Sequence, residues 1–183
     1  MKSIEKKPPL IWLDMEMTGL NPFFDHILEV AILITDESLN IYEEELHLVI
    51  HQPEEILKGM NDWCVRCHSE SGLLEKVRSS NVTVEQAEEQ ILSFVSKYCE
   101  PEQSPLCGNS IEQDRRFIVR YMPSFDKFLN YRHVNVSSFK EMLTRWYPES
   151  PFVDFEKTRK HLALDDIRES IAELAHYRKH FLK

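Results

Sequence analysis

Apolar residues in the first fifty positions come in runs, and turn-forming residues bound each run. Leu10 to Asp14 (Leu-Ile-Trp-Leu-Asp) is a continuous apolar stretch ending on a carboxylate, as expected of a buried strand. Gly19-Leu20-Asn21-Pro22 marks a turn. Ile27 to Thr35 and Ile41 to Ile50 read as two more strands, separated by Asp36-Glu37-Ser38-Leu39-Asn40. Their short connections predict an antiparallel meander opening the fold.

Beyond Pro53 the period becomes helical. Thr83-Val84-Glu85-Gln86 has the form of a capping box, and Ala87, Ile91, Phe94, Val95 and Tyr98 follow at helical spacing. Ser104 to Gly108 is a short strand, and Ile111 to Tyr121 a helix closed by Pro123. Tyr131 to Val136 alternates like a strand, and Ser138 with Glu141 caps a helix running to about Tyr147. After a loop with Pro148 and Pro151, the last helix spans about Asp165 to Phe181, with Ile167, Ile171, Leu174, Ala175 and Phe181 inward. The order predicts one α/β domain over residues 1–183, with a mixed sheet, helices on both faces and a flexible segment at 1–9.

Composition narrows the class. Hydrophobic residues make up 42% of 183 positions and only four glycines occur, which favours a folded globule over disorder. No apolar run approaches the roughly 20 residues of a membrane span, and the amino terminus lacks a signal core, so a cytoplasmic protein is expected. The formal net charge of −9 opposes neutralisation of a long nucleic-acid duplex. Cys64-Val65-Arg66-Cys67-His68 matches a haem-attachment pattern, but that chemistry needs export. A zinc site needs a second close pair, and Cys99 and Cys107 are eight apart. Reduced thiols are the simpler reading.

Chemistry concentrates in three blocks. Residues two apart on a strand share a face, so Asp14 and Glu16 of Asp14-Met15-Glu16 should project together just past the carboxyl end of the first strand. Asp114 falls in the first turns of a helix, where the macrodipole favours a carboxylate. His161 and Asp166 straddle the start of the last helix. Carboxylates that converge are costly unless cations lie between them, and carboxylate oxygens suit Mg²⁺ and Mn²⁺. Two such ions about 4 Å apart can hold the attacking and leaving oxygens of a phosphodiester. Four ligand carboxylates would then be matched by the charge of two divalent ions. A neutral histidine beside them is suited to general-base work.

The order Asp-x-Glu, Asp, His-x-Ala-x-x-Asp resembles that of the DEDDh 3′-to-5′ exonucleases, and within them the oligoribonucleases, from about residue 10 to the C-terminus. The blocks Ile11 to Leu20, Gly108 to Phe117 and His161 to Ser170 carry the likeness. The resemblance implies a ribonuclease-H-like fold, with Asp14, Glu16, Asp114 and Asp166 binding two Mg²⁺ or Mn²⁺ ions and His161 as general base. It implies hydrolysis of short single-stranded RNAs, down to 5′-phosphorylated dinucleotides, to 5′-mononucleotides by a homodimer. Leu20 and Trp63 would hold bases, with His68 in the stretch flanking the tryptophan. Ser110, Arg132 and Ser137 would cap the 5′ phosphate, and Tyr131 would come from the second subunit. Physically, Trp63 and Leu20 can stack on any base, and Arg132 can fork two bonds onto a phosphate. Trp63 as a core aromatic, Leu20 as apolar filler and Arg132 as an ion-pair residue are the competing structural roles. An exonuclease for longer RNA or DNA and a non-catalytic nucleotide binder are the competing functions; the first would call for a basic track, the second for a lost ligand.

Overall fold

The computed structural model describes residues 7–157 and 162–182. Five strands form one mixed sheet in the order β3-β2-β1-β4-β5. These are β1 (Leu10–Met17), β2 (Ile27–Thr35), β3 (Ile41–Val49), β4 (Leu106–Gly108) and β5 (His133–Asn135). The first three form the expected antiparallel meander, while β4 and β5 add in parallel to β1. The fold is ribonuclease-H-like.

All nine positions of β2 are buried, and β3 at the edge carries the exposed acids Glu43, Glu44 and Glu45. Charges on an edge strand discourage pairing with another chain. One face of the sheet holds Ile11, Leu13 and Met15 of β1 against the helices α4 (Val84–Val95), α5 (Glu112–Tyr121) and α6 (Pro123–Phe128). The opposite face packs Trp12, Ala31 and Leu33 against α7 (Val136–Trp146) and α8 (Ala163–Phe181). A smaller cluster joins Leu28 to the short helices α1 (Glu54–Leu57), α2 (Asp62–Glu70) and α3 (Leu73–Ser79). Among the described residues no helix is long and apolar enough to cross a membrane.

Four local expectations need correction. Strand β1 continues through Met17, so Asp14 and Glu16 lie within it rather than past it; pairing with β2 carries the ladder on. Pro123 opens α6 at its first turn, a position its fixed φ and missing N–H suit. The cap of α7 is Asn135, whose side chain accepts from Ser137 N at 2.9 Å, rather than Ser138 with Glu141. Ala175 is exposed, and Glu173 and Tyr177 are buried on α8. The Thr83 to Gln86 capping box is present as expected.

Candidate active site

The carboxyl ends of three neighbouring parallel strands, β1, β4 and β5, converge on one edge of the sheet, the usual place for a site in an α/β fold. Strand alternation turns Trp12, Asp14 and Glu16 toward the face that α8 covers. Asp166 stands in the first turn of that helix. Oxygens from Asp14, Glu16 and Asp166 lie within 4.8 Å of one another. Asp114, buried in the first turn of α5, comes from the opposite face and accepts the Met15 backbone N–H. It stands outside the 4.8 Å group, yet its charge acts on Asp14 more strongly than that of Glu16. Gly108 makes the junction of β4 and β1 possible, because a Cβ there would sit 2.8 Å from Leu13 O.

Burial, then the charges of Asp114, Glu16 and Asp166, drives the Asp14 carboxyl well above its ordinary value. Burial with the charges of Glu29 and Asp166 pushes Glu16 up to about 8. Burial lifts Asp114 to about 7 against the pull of its backbone hydrogen bonds. A cation among these oxygens would relieve both the desolvation and the repulsion. An all-oxygen set of this kind suits a hard divalent ion, so Mg²⁺ or Mn²⁺ fits the residues present.

The expected general base, His161, lies outside the described residues. Leu162 caps α8, which starts at Ala163. The residue that anchors this start was not anticipated. Glu29 on β2 pairs across the ladder with Glu16, is 1% exposed, and accepts from Ala163 N at 3.3 Å. Its other oxygen lies 2.6 Å from His47 Nε2. A lone acid inside nine consecutive buried positions was the available signal.

Beside the cluster is a cavity of about 370 Å³ whose lining includes Glu16, Gly19, Leu20, Trp63, Cys64 and His68. Leu20 and Trp63 are 68% and 53% exposed, so neither is a core residue. The Leu20 turn is tied by Asp25, which accepts from Thr18 Oγ1 at 3.0 Å and Asn21 N at 2.8 Å. A side chain at Gly19 would strike that carboxylate at 2.5 Å. His68 lies buried below the cavity, with Nε2 2.9 Å from Met17 O and Nδ1 3.8 Å from Glu16 Oε2. A larger cavity of about 450 Å³ lined by His26, His51 and Arg78 has none of the expected site residues among the described residues of its lining, and size alone does not choose between them.

At the ends of β4 and β5, Ser110 and Ser137 meet with their hydroxyl oxygens 3.3 Å apart. Tyr131 and Arg132 are exposed, the guanidinium 4.6 Å above the tyrosine ring. Cys64, Cys99 and Cys107 belong to three separate apolar clusters, and all four thiols are free.

The RNase_T family, described as Exonuclease, matches residues 11–174. The chain is 51% identical over 177 residues to the oligoribonuclease of Haemophilus influenzae strain Rd, covering 97% of both chains. It is 52% identical over 174 residues to the oligoribonuclease of Pseudomonas aeruginosa strain PAO1, covering 95% of this chain and 96% of that one. Among solved structures, the zinc-bound form of an exonuclease I–single-stranded DNA complex from E. coli superposes with a TM-score of 0.73 at 14% identity. That match covers 96% of this chain and 41% of the other, and speaks to the fold alone.

Proposed function

The chain belongs to the oligoribonuclease family of metal-dependent exonucleases, and on that footing we propose that it removes 5′-mononucleotides from the 3′ end of short RNAs in the cytosol, 5′-phosphorylated dinucleotides above all. The observation that carries this reading is the convergence of Asp14, Glu16 and Asp166 within 4.8 Å, with Asp114 beside them. These four carboxylates would hold two divalent ions. Bound there, the ions would offset the carboxylate charge and polarise the scissile phosphodiester.

The remaining tasks fall to side chains. His161, neutral at working pH, would take the proton of the attacking water as the P–O bond to the leaving 3′ oxygen breaks. Leu20 and Trp63 would sandwich bases without reading their identity, which suits an enzyme for mixed sequences. His68 would support the Trp63 helix against β1 from beneath that cavity. Ser110, Ser137 and Arg132 would close on a 5′ phosphate and so limit substrate length, in keeping with a net charge of −9. Tyr131, 73% exposed, would complete the pocket of a second subunit in a homodimer.

Incubation with labelled 5′-phosphorylated dinucleotide and a 20-mer RNA, with Mg²⁺ or with excess chelator, tests the reading. Mononucleotide should form only with Mg²⁺, and faster from the dinucleotide. No product with Mg²⁺ would reject the enzyme reading, and preference for the 20-mer would reject the short-substrate part.

A further inference from the structure

Glu173 is a buried carboxylate that takes no part in the acidic cluster. It lies seven residues after Asp166 on α8 and is 1% exposed. Oε1 accepts from the Tyr177 hydroxyl at 2.8 Å, and Oε2 accepts from Lys157 Nζ at 2.6 Å and from Asn109 Nδ2 at 3.1 Å. Burial alone would raise its carboxyl, but Lys157, Tyr177 and Asn109 outweigh that and hold it below the ordinary value. It is therefore a charged acceptor with fixed partners.

One of those partners leads to the site. An ionised carboxylate only accepts, so the Asn109 amide must turn Nδ2 toward Glu173, and Nδ2 also donates to Ser170 Oγ at 2.8 Å. That leaves Asn109 Oδ1 facing the other way, where it accepts the Ser137 hydroxyl at 3.1 Å. With its proton committed, Ser137 Oγ becomes an acceptor and takes the Ser110 backbone N–H at 3.0 Å. Ser110 has φ of 47°, a conformation that non-glycine residues seldom adopt, held by this bond and by Asn135 Oδ1 at 3.2 Å. The Ser110 hydroxyl faces Ser137 Oγ at 3.3 Å, long for an O–H···O bond and easily surrendered.

We infer that Glu173 is a positioning residue for the 5′-phosphate end of the pocket: through Asn109 and Ser137 it sets the direction of each hydrogen bond, so that the Ser110 hydroxyl, rather than that of Ser137, turns onto the phosphate. The inference rests on the proposed reading that Ser110, Ser137 and Arg132 receive that group. It assigns the two serines unequal roles, one donating to substrate and one orienting the donor.

The test compares kcat/KM for a 5′-phosphorylated dinucleotide with that for the same dinucleotide bearing a 5′ hydroxyl. Glu173→Leu removes the acceptor and lets the Asn109 amide reverse, so the preference for the phosphorylated substrate should fall about tenfold, mainly through KM, the usual worth of a charge-assisted hydrogen bond. Glu173→Gln can still present an oxygen to Asn109 and should keep most of the preference. Should leucine at 173 prevent folding, Asn109→Ala breaks the same relay, leaves the Lys157–Glu173 pair in place and should give the same loss. Ser110→Ala should cost more of the preference than Ser137→Ala. A wild-type protein that hydrolyses both dinucleotides equally overturns the phosphate pocket and this inference together. A wild type that discriminates, with Glu173→Leu or Asn109→Ala keeping its ratio, overturns the inference alone.

Discussion

Asp14, Glu16, Asp114 and Asp166 project from a strand and two long helices and are largely withdrawn from water, whereas Leu20, Trp63, Tyr131 and Arg132 stand on turns, at a helix start and before a short strand, mostly exposed. The acids are placed by the fold itself, since β1 is paired on both sides and α8 is packed across it. Their proximity is a cost that folding absorbs before any ligand arrives. The exposed group carries the opposite burden: apolar surface of Leu20, Trp63 and Tyr131 is left in contact with water. On the proposed reading, one half of the cleft is organised for cations in advance, and the other would be completed by substrate.

Damage to the acidic half should be the more severe. Asp14→Ala should reduce turnover to background, and His161→Ala should lower it about 10²- to 10⁴-fold while leaving metal binding in place, as general-base loss does. Single-turnover hydrolysis of the dinucleotide measures both, and a near wild-type rate in either would detach that residue from the chemistry. In the exposed half, Trp63→Ala removes a stacking surface worth about 1–3 kcal/mol per base. Its effect should appear as roughly a 10- to 100-fold rise in KM with kcat little changed. A change confined to kcat would place Trp63 among the rate-determining groups instead.

Legibility followed the same division. The strands were readable because nothing competes with continuous apolar runs such as Ile27 to Thr35, and the alternation within β1 put Asp14 and Glu16 on one face. Asp166 was readable as a first-turn acid; its approach to β1 was expected only through the family resemblance, because it depends on α8 packing across the sheet, with Glu29 accepting from Ala163 N at its start. Local signals failed where two principles applied at once. Pro123 can end one helix or open the next, and three capping residues, Asn135, Ser137 and Ser138, compete within four positions. Contact with Ser110 decides for Asn135. Tyr177 is buried within an apolar cluster, and Glu173 can be buried because Tyr177 and Lys157 satisfy its carboxylate, partners that no period reveals. The roles expected of the exposed half rest on family resemblance alone, since an apolar residue in the sequence carries no mark of whether it faces core or ligand.

A smaller effect separates the halves by pH. Glu16, ordinarily near 4.5, is raised to about 8 in the fold, and Asp114 from 3.8 to about 7. The native state thus holds protons that the unfolded chain has released, so these groups favour the fold fully below the unfolded values and lose that contribution as pH rises through the folded ones. Thermal melts of chelated protein should show the midpoint rising as pH is lowered from about 8 to about 6, with Mn²⁺ adding more at the upper end. Trp63→Ala should leave both trends intact. A midpoint in chelator that is flat over this range would mean the acids are not in conflict.

The most direct measurement is a calorimetric titration of Mn²⁺ into wild-type and Asp166→Asn protein at pH 8, in the absence of RNA. Saturable binding near two ions per chain should appear in the wild type and be lost or reduced to one weak site in the variant. Absence of saturable binding to the wild type, or equal binding by a folded variant, would contradict the claim that the converging carboxylates share divalent cations.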